Sequence, residues 1–347
     1  MAAALALARR GLGTVWPNPA VGCVIVRGGR IAGRGWTQPG GRPHAETEAL
    51  RRAGAAAQGA DVYVTLEPCA HEGQTPPCAD ALIAAGVARV FAAVQDPDPR
   101  TAGQGIAKLE AAGIEVRTGL AEAEARTVNA GFLMTQEQGR PRVTLKIAST
   151  LDGRIATEAG ESKWITGPEA RWRGHLFRAR HDAIVVGIGT VLADDPSLDC
   201  RIAGLEDRSP VPVVLDSALR TPAASRLLRR PAWIVASDKA EGTLESPGLE
   251  ILRVADTADL NEILALLASR GITRLLVEGG GQVHASFLRA GLVDRVAWFR
   301  AGSVIGGDGR GAIGSLALDA LEAAPRFERE SLVACGNDTL ETLIRTA

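Results

Sequence analysis

A histidine, a glutamate and two cysteines in the first third of the chain are the side chains best suited to chemistry. His44 and Glu46 stand at the start of a predicted helix, and Cys69 and Cys78 follow at later strand-to-helix junctions. One imidazole and two thiolates leave the fourth tetrahedral position of zinc open for water, as a catalytic zinc site requires. Glu46 need not be a ligand, and a carboxylate at its position can move protons as a general acid and base. The four residues therefore predict a catalytic metal site.

The order of these residues narrows the chemistry. His-x-Glu, followed by Pro-Cys and a second cysteine, is typical of zinc-dependent deaminases that act on nucleobase rings. Eight residues separate Cys69 from Cys78, where the usual spacing is two, so the pattern matches only in order and ligand type. The alternative is that a histidine and two unrelated buried cysteines fall in this order by chance. The combination of His-Ala-Glu and Glu-Pro-Cys at successive junctions favours the metal site.

Length, charge and cysteine usage exclude several classes of protein. The 347 residues, 46% of them hydrophobic, are enough for two globular domains. The formal net charge is −1, and neither half is the polycation that is typical of a nucleic-acid binder. Five scattered cysteines favour a reducing, cytoplasmic setting. The longest uncharged run, residues 11–26, contains two prolines and is too short to cross a membrane.

Alternating β-rich and alanine-rich segments predict an α/β fold in both halves. A polar stretch at residues 137–141 interrupts this pattern, so we place the boundary between domains 1–141 and 142–347 there. The first sheet is expected to be mostly parallel. Strands are predicted at residues 21–26, 62–66, 89–94, 114–117, 142–148, 183–186, 211–215, 232–236, 274–277 and 295–299. Helices are predicted near the N-terminus and at residues 45–53, 79–85, 105–112, 121–134, 168–179, 260–269 and 283–290.

The second half carries weaker chemical signals. Three glycines at residues 279–281 follow a predicted strand and open a predicted helix, so their backbone amides could bind phosphate oxygens. This segment lacks the third glycine of the dinucleotide-binding fingerprint, and a tight connection is the alternative. Lys146 is one of only four lysines and lies on the polar side of an apolar strand, where a solvated side chain is the alternative. Asp194 and Asp195 point apart as neighbours, so we expect no second metal site.

Six longer strings resemble one known family. VTLEPCAHEGQTPPC at residues 64–78, PNPAVG at 17–22 and QDP at 95–97 resemble the bifunctional riboflavin-biosynthesis deaminase–reductases, in which eight residues between the cysteines are normal. TLDGR at 150–154, GESKWIT at 160–166 and TVLADDPSL at 190–198 resemble the reductase domain of that family. The resemblance extends from about residue 2 to about residue 340. It implies an N-terminal cytidine-deaminase-like three-layer α/β/α domain and a C-terminal dihydrofolate-reductase-like α/β domain.

In the first domain, the resemblance implies one Zn²⁺ and a pyrimidine pocket. The ion would be held by His44, Cys69 and Cys78, with Glu46 as the catalytic proton carrier. Asn18 would bind the substrate, although an asparagine before a proline also suits a turn. His71 and Asp96 would contact the substrate or act only as loop and capping residues.

In the second domain, the resemblance implies a site for NADPH beside a site for the ribosyl-phosphate substrate. The NADPH site would comprise Ala148, Trp164, Thr190, Asp194, Ser217, Gly280, Gly281, Gln282, Val283, His284, Ala285 and Ser286. The substrate site would comprise Lys146, Ser162, Leu198, Arg201 and Glu278. Arg201 would clamp the phosphate, and Lys146 would polarise the substrate.

The chain departs from the family pattern at three positions near the implied substrate. Asp98 stands where the family usually has asparagine, and Gln104 stands where it usually has arginine. Asp199 follows Leu198 where the family often has threonine, which adds a negative charge close to the implied phosphate. A phosphate contact from position 104 is therefore not expected.

The resemblance implies two successive reactions on a small phosphorylated pyrimidine. The first domain would deaminate 2,5-diamino-6-(5-phosphoribosylamino)pyrimidin-4-one to the uracil, and the second would reduce the ribosyl to the ribityl side chain with NADPH. One alternative is an active deaminase whose C-terminal domain is a non-catalytic nucleotide-binding or oligomerisation module. Another is a nucleic-acid base deaminase, but the charge count shows no basic channel. We expect a homo-oligomer with no nucleic-acid or membrane partner.

Overall fold

The computed structural model describes residues 1–72 and 76–346, and the chain forms two compact units, Met1–Arg140 and Pro141–Ala347. We call them the N-terminal unit and the C-terminal unit. Each unit contains its own sheet with helices packed against it, as the alternating pattern predicts.

The N-terminal unit is built on a five-stranded sheet in the order β2-β1-β3-β4-β5. Its strands are β1 (Gly22–Arg27), β2 (Arg30–Trp36), β3 (Asp61–Val64), β4 (Arg89–Ala92) and β5 (Glu115–Thr118). β1 pairs antiparallel with β2 and β3, whereas β3, β4 and β5 are mutually parallel. The expectation of a mostly parallel sheet is therefore wrong for this unit, because a hairpin occupies one edge.

Five helices cover this sheet, and their packing explains why β2 was not predicted. They are α1 (Ala2–Ala8), α2 (Ala45–Ala53), α3 (Cys78–Ala84), α4 (Gln104–Ala111) and α5 (Glu122–Gln138). α2 lies so close to β2 that a Cβ on Gly33 would stand 2.2 Å from the carbonyl oxygen of Ala49, and one on Gly35 would stand 2.0 Å from that of Ala45. Because glycine fills the buried positions of β2, the strand shows no apolar alternation.

The C-terminal unit is built on a nine-stranded sheet in the order β11-β10-β9-β8-β12-β6-β13-β16-β15. Its strands are β6 (Arg142–Ser149), β8 (Ala183–Gly187), β9 (Val211–Leu215), β10 (Ala232–Ser237), β11 (Leu249–Val254), β12 (Arg274–Val277), β13 (Arg295–Arg300), β15 (Phe327–Cys335) and β16 (Asp338–Arg345). The first seven strands in this order are parallel, and the β15–β16 hairpin adds an antiparallel edge. β7 (Arg154–Ala156) and β14 (Arg310–Gly311) form a separate small ladder.

Four helices pack on this second sheet. They are α6 (Pro168–Arg178), α7 (Ile188–Asp194), α8 (Leu260–Ser269) and α9 (Gly281–Arg289). The elements of this unit that the sequence does not predict are α7, β7, β11, β14 and the hairpin strands β15 and β16. β15 has a mostly exposed, charge-rich sequence that carries no burial pattern, so its strand form depends on pairing with β16. Within residues 1–72 and 76–346, the helices are all too short or too polar to cross a bilayer.

A buried histidine in the C-terminal unit makes its stability depend on pH. His181 is 1% exposed; its Nδ1–H donates to the carbonyl oxygen of Phe177 at 2.7 Å, and its Nε2 accepts from the Thr144 hydroxyl at 3.0 Å. Burial, followed by the nearby Arg274 guanidinium, lowers the pKa of His181 well below its ordinary value. The folded state therefore keeps this ring neutral at pH values where the unfolded chain binds a proton.

We expect the free energy of unfolding to fall as the pH drops below about 6.5, by up to about 1.4 kcal/mol per pH unit from this histidine. Urea titrations at pH 7 and pH 5 measure this loss. In His181→Gln the loss between the two pH values should be smaller by about 2 kcal/mol, because one proton uptake by the unfolded chain is removed. An equal loss in both proteins would show that His181 does not carry the effect.

Candidate active sites

The structure brings the predicted metal ligands together at the ends of two helices. His44 immediately precedes α2, Cys78 is the first residue of α3, and Cys69 lies in the loop that follows β3. The Nδ1 atom of His44 is 3.3 Å from Sγ of Cys78 and 3.7 Å from Sγ of Cys69. All three ligand atoms lie within 4.8 Å of one another. One imidazole nitrogen and two sulfurs at this separation fit the donor set of a catalytic zinc site.

Glu46 stands next to this cluster in the first turn of α2 and is 4% exposed. Burial raises the pKa of Glu46 to about 7. A hydrogen bond from Cys78 is the largest of several effects that lower the pKa of Cys69 to about 4, whereas that of Cys78 itself is raised. A carboxyl group with a pKa near neutrality can both accept and return a proton, which is the property required of a general acid and base.

A cavity of about 290 Å³ opens over the cluster, and we call it the metal-site cavity. Its walls include Asn18, Arg42, His44, Glu46, Glu67, Cys69, His71, Asp96, Asp98, Arg100, Thr101 and Phe132. Asn18 packs directly on Gly41, where a Cβ would stand 1.9 Å from Nδ2 of Asn18 and where φ is +84°. Glycine is required there on both grounds. Asn18, His71 and Asp96 thus share a cavity with the cluster.

The two residues of the first domain that depart from the family pattern, Asp98 and Gln104, have different surroundings. Asp98 accepts hydrogen bonds from the backbone N–H and the guanidinium of Arg100, both at 2.9 Å. These bonds lower the pKa of Asp98. Gln104 donates from Nε2 to the carbonyl oxygen of Pro99 at 3.2 Å and is not among the lining residues found for the cavity. Arg100 therefore supplies a cation to the cavity wall, which sequence reasoning missed.

In the C-terminal unit, a cavity of about 540 Å³ is lined by glycine-rich segments, and we call it the glycine-loop cavity. The residues around it include Ser162, Gly187, Gly189, Thr190, Asp194, Gly280, Gly281, Gln282, Val283, Arg310, Gly311 and Gly314. α9 begins at Gly281, where a Cβ would stand 2.6 Å from the carbonyl oxygen of Gly311. The backbones of residues 281 and 311 approach so closely that position 281 requires glycine. Free N–H groups at the start of α9 suit the phosphates of a dinucleotide.

A smaller cavity of about 270 Å³ shares Ser162 and Asp194 with the glycine-loop cavity, so the two adjoin. We call it the charged cavity. Its walls include Lys146, Ala148, Ser162, Trp164, Arg171, His175, Arg178, Asp194, Arg201, Glu278 and Phe299. Lys146, Ser162, Arg201 and Glu278 from the predicted substrate set are together here, as are Ala148, Trp164 and Asp194 from the predicted cofactor set.

Glu278 is the centre of a charge network in this cavity. Its carboxylate accepts two hydrogen bonds from Arg178, at 3.0 and 2.9 Å, and lies 3.6 Å from Nζ of Lys146. Burial alone would raise the pKa of Glu278, but Arg178 and Lys146 outweigh burial and hold it well below its usual range. Arg178 also donates to the carbonyl oxygen of Asp199 at 2.9 Å. Sequence reasoning missed Arg178, because its partner is 100 residues away and its helix position carries no chemical signal.

Arg201 is held at the edge of the charged cavity by His175 and Asp199. Its Nε and Nη2 lie 3.4 and 3.3 Å from Nε2 of His175, and Nε lies 3.7 Å from Oδ1 of Asp199. Burial, followed by Arg178 and Arg201, lowers the pKa of His175, so that its ring can accept hydrogen bonds. Asp199, the third residue that departs from the family pattern, is therefore an ion-pair partner of Arg201, the predicted phosphate-binding residue.

Five residues of the predicted sets are not among the residues found to line either cavity. Leu198 is buried, and its carbonyl oxygen accepts from Arg230. His284 is 2% exposed with Nδ1 bonded to the carbonyl oxygen of Ala312, and Ala285 is fully buried. Ser286 donates to the carbonyl oxygen of Gln282 within α9, and Ser217 is exposed at the end of β9. The ligand contacts expected of these five stay predictions.

Two family models match the chain. Residues 1–94 match the cytidine and deoxycytidylate deaminase zinc-binding region, and residues 141–340 match the RibD C-terminal domain. The chain is 43% identical to the riboflavin biosynthesis protein RibD of Escherichia coli strain K12, over 99% of this chain and 98% of that protein. It is 42% identical to the RibD of Bacillus amyloliquefaciens, over 99% of this chain and 95% of that protein.

Solved structures agree with these matches. RibD of Acinetobacter baumannii aligns with a TM-score of 0.92 at 39% identity, covering 99% of this chain and 97% of that chain. The diaminohydroxyphosphoribosylaminopyrimidine deaminase/5-amino-6-(5-phosphoribosylamino)uracil reductase of Thermotoga maritima aligns with a TM-score of 0.89 at 35% identity, covering 99% and 97% of the two chains.

Proposed function

The chain belongs to the RibD family of bifunctional riboflavin-biosynthesis enzymes, and from this membership we propose how its own residues carry the two reactions. It is a zinc-dependent deaminase and an NADPH-dependent reductase, and its predicted two-domain α/β fold, deaminase-like and then reductase-like, is confirmed. We assign the deaminase to residues 1–141 and the reductase to residues 142–347. The proposed substrates are those in the name of the Thermotoga relative, a phosphoribosylaminopyrimidine and the uracil derived from it.

The metal-site cavity would carry the deamination. His44, Cys69 and Cys78 would hold zinc, and the chemistry that zinc supplies when bound is the acidification of water near neutral pH. Glu46 takes a proton from the attacking water and delivers a proton to the leaving amine, for which its burial and its pKa near 7 suit it. Asn18 orients the pyrimidine ring from the wall of the same cavity. The observation that carries this assignment is that the ligand cluster, Glu46 and Asn18 meet in one cavity.

The two adjoining cavities of the C-terminal unit would carry the reduction. The glycine-loop cavity holds NADPH, with the start of α9 at its phosphates, and the chemistry that NADPH supplies is a hydride. The charged cavity holds the ribosyl phosphate, with Arg201 on the phosphate and Lys146 beside the sugar. Glu278 and Arg178 fix the position of Lys146 and the charge of the site. Ser162 and Asp194 line both cavities and stand where cofactor and substrate would meet.

Product analysis by mass spectrometry tests both assignments in one experiment. Without NADPH, we expect exchange of one amino group for oxygen together with release of ammonia, and with NADPH we expect two further hydrogens. A chelator should stop the first step, and added zinc should restore it. NADPH oxidation with the deaminated compound should continue in the chelator, because the C-terminal site uses no metal in this assignment. Cofactor that binds without being oxidised would favour a non-catalytic C-terminal module instead.

We further propose that the protein works in the cytoplasm as a homo-oligomer, on a small molecule and without a nucleic-acid or membrane partner. Its five cysteines are free thiols, which suits a reducing compartment. The near-zero net charge suits a substrate that is held by a few placed cations. β15 is an edge strand that leaves Leu332 54% exposed, and such an edge suits pairing with another copy.

A further inference from the structure

A second buried carboxylate lies in the wall of the metal-site cavity and has no role in the mechanism above. Glu67 is 3% exposed and stands two residues before the ligand Cys69. Its Oε2 accepts the backbone N–H groups of Asp96 at 3.2 Å and Gly103 at 3.0 Å. Its Oε1 accepts those of Gly105 at 2.9 Å and Ile106 at 3.2 Å. One side chain thus fastens both ends of a segment that lies about 30 to 40 residues later in the chain.

The bonding of Glu67 leaves it no capacity for proton transfer. A carboxylate has about four lone-pair positions, and four N–H groups occupy them. These donors belong to the backbone, so they cannot move away when a substrate binds. Glu67 therefore differs from Glu46, although both carboxylates are buried in the same cavity wall.

The segment that Glu67 holds, residues 96–106, carries part of the wall of the metal-site cavity. Asp96, Asp98, Arg100 and Thr101 line the metal-site cavity. Within the segment, Asp96 accepts from the N–H of Asp98 at 2.9 Å, and Asp98 accepts from that of Arg100 at 2.9 Å. Three carboxylates therefore each accept the backbone N–H of a later residue: Glu67 that of Asp96, Asp96 that of Asp98, and Asp98 that of Arg100. Moving Glu67 would move every one of these wall residues.

The start of α4 lies very close to Pro68 and Glu67. A Cβ on Gly105 would stand 1.9 Å from the carbonyl oxygen of Pro68 and 3.3 Å from Oε1 of Glu67. Glycine at position 105 is therefore needed for the helix N-terminus to reach the carboxylate. The N–H groups of residues 103, 105 and 106 donate to the negatively charged carboxylate of Glu67 at the start of α4. A negative charge at this end of a helix also interacts favourably with the helix dipole.

We propose that Glu67 is a positioning residue for deamination, which sets residues 96–101 at the correct distance from the metal ligands so that they can hold the substrate. This role rests on the deaminase activity proposed above. Because both carboxylate oxygens of Glu67 are taken up by backbone N–H groups, Glu67 acts through the residues it positions. The role therefore predicts a change in KM for the pyrimidine that is larger than the change in kcat. It also predicts that the metal site itself stays intact.

Glu67→Gln tests the role, because the amide keeps the size of the side chain but turns an N–H group toward two backbone N–H groups. We expect KM for deamination to rise at least about tenfold, kcat to change less than about threefold, and zinc content to stay at one per chain. Gly105→Ala should give the same KM-dominated effect with Glu67 unchanged, since its Cβ must push the segment away from Pro68. Lys108→Ala, on the same helix as Gly105, removes an exposed ion pair with Asp80 of α3; it is the matched control and should leave KM unchanged.

NADPH oxidation by the same preparations reports on the rest of the chain and should be unaffected. If Glu67→Gln does not yield folded protein, Gly105→Ala alone decides the question. Loss of zinc with unchanged KM in the loaded fraction would overturn the role, since Glu67 would then act only through Cys69. Unchanged KM in both variants would overturn it as well. Absence of ammonia release by the unsubstituted chain would instead refute the proposed function.

Discussion

Glu46→Gln should release ammonia at least about 10²-fold to 10⁴-fold more slowly than the unsubstituted chain, the range that general acid–base catalysis usually contributes. The amide keeps the size of the side chain and cannot accept or return a proton. Because Glu46 is not one of the three residues whose ligand atoms cluster at the metal site, zinc content should stay at one per chain. The loss should appear mainly in kcat, since the proton transfers occur after the substrate has bound.

Glu48→Gln is the matched control for this experiment. Glu48 is in the same first turn of α2, but its carboxylate pairs with Arg51 and Arg52 on the surface and is not among the residues found to line the metal-site cavity. This variant should deaminate at the normal rate. NADPH oxidation should be normal in both variants, which shows that the chain is folded. Ammonia release at the full rate by Glu46→Gln would remove the assigned role.

Replacing Arg178 by methionine should cost the C-terminal unit both stability and reductase activity. The side chains of Arg178 and Glu278 are 15% and 9% exposed, and removal of one partner leaves the other charge largely buried with Lys146 as its remaining cation. Breaking such a pair costs about 3 kcal/mol. With Arg178 absent, Lys146 is drawn to Glu278 and the cavity loses a positive charge that an anionic substrate needs. We expect kcat/KM for NADPH-dependent reduction to fall at least about 100-fold.

Two further variants separate the stability effect from the catalytic effect. Arg173→Met removes another arginine of α6, one that is not found in the lining of either cavity, and should keep full reductase activity. The double variant Arg178→Met/Glu278→Met should recover stability in urea titrations, because no unpaired charge remains, but should not recover reduction. Recovery of activity in the double variant would mean that the pair serves only the fold. Ammonia release is the internal control throughout.

The deaminase site was predictable from the sequence to a large extent because its signals are local. His44 and Glu46 are two residues apart, His44 and Cys78 lie where a helix begins, and Cys69 lies in the loop after β3. The types and order of these residues already indicate the chemistry. The structure adds that the three ligand atoms converge and that Glu46 is buried beside them. The sequence could not show that residues 96–101 would complete the cavity wall, because Glu67 holds them through backbone N–H groups far along the chain.

The reductase site was less predictable because its parts are distant in sequence. Arg178 and Glu278 meet across 100 residues. The resemblance selected Glu278 as a substrate residue, whereas Arg178 belongs to no motif with a chemical meaning of its own. Position-by-position resemblance also selected His284 and Ala285, which are residues of α9 with buried side chains. A helix presents a given face only at every third or fourth residue, so some residues of the motif turn away from the ligand, and a linear motif does not show which.

The glycine contact between α2 and β2 determines which residues of the N-terminal unit can be substituted without moving the metal site. Where side chains meet, an interface adjusts to a change of residue size through small shifts of neighbouring rotamers. At Gly33 and Gly35 backbone meets backbone, so the spacing between the helix and the strand does not depend on side-chain volume. The core of the N-terminal unit can therefore drift in sequence while the helix end that presents His44 and Glu46 keeps its place. Substitution is thus poorly tolerated at two glycines that lie outside the walls found for the metal-site cavity.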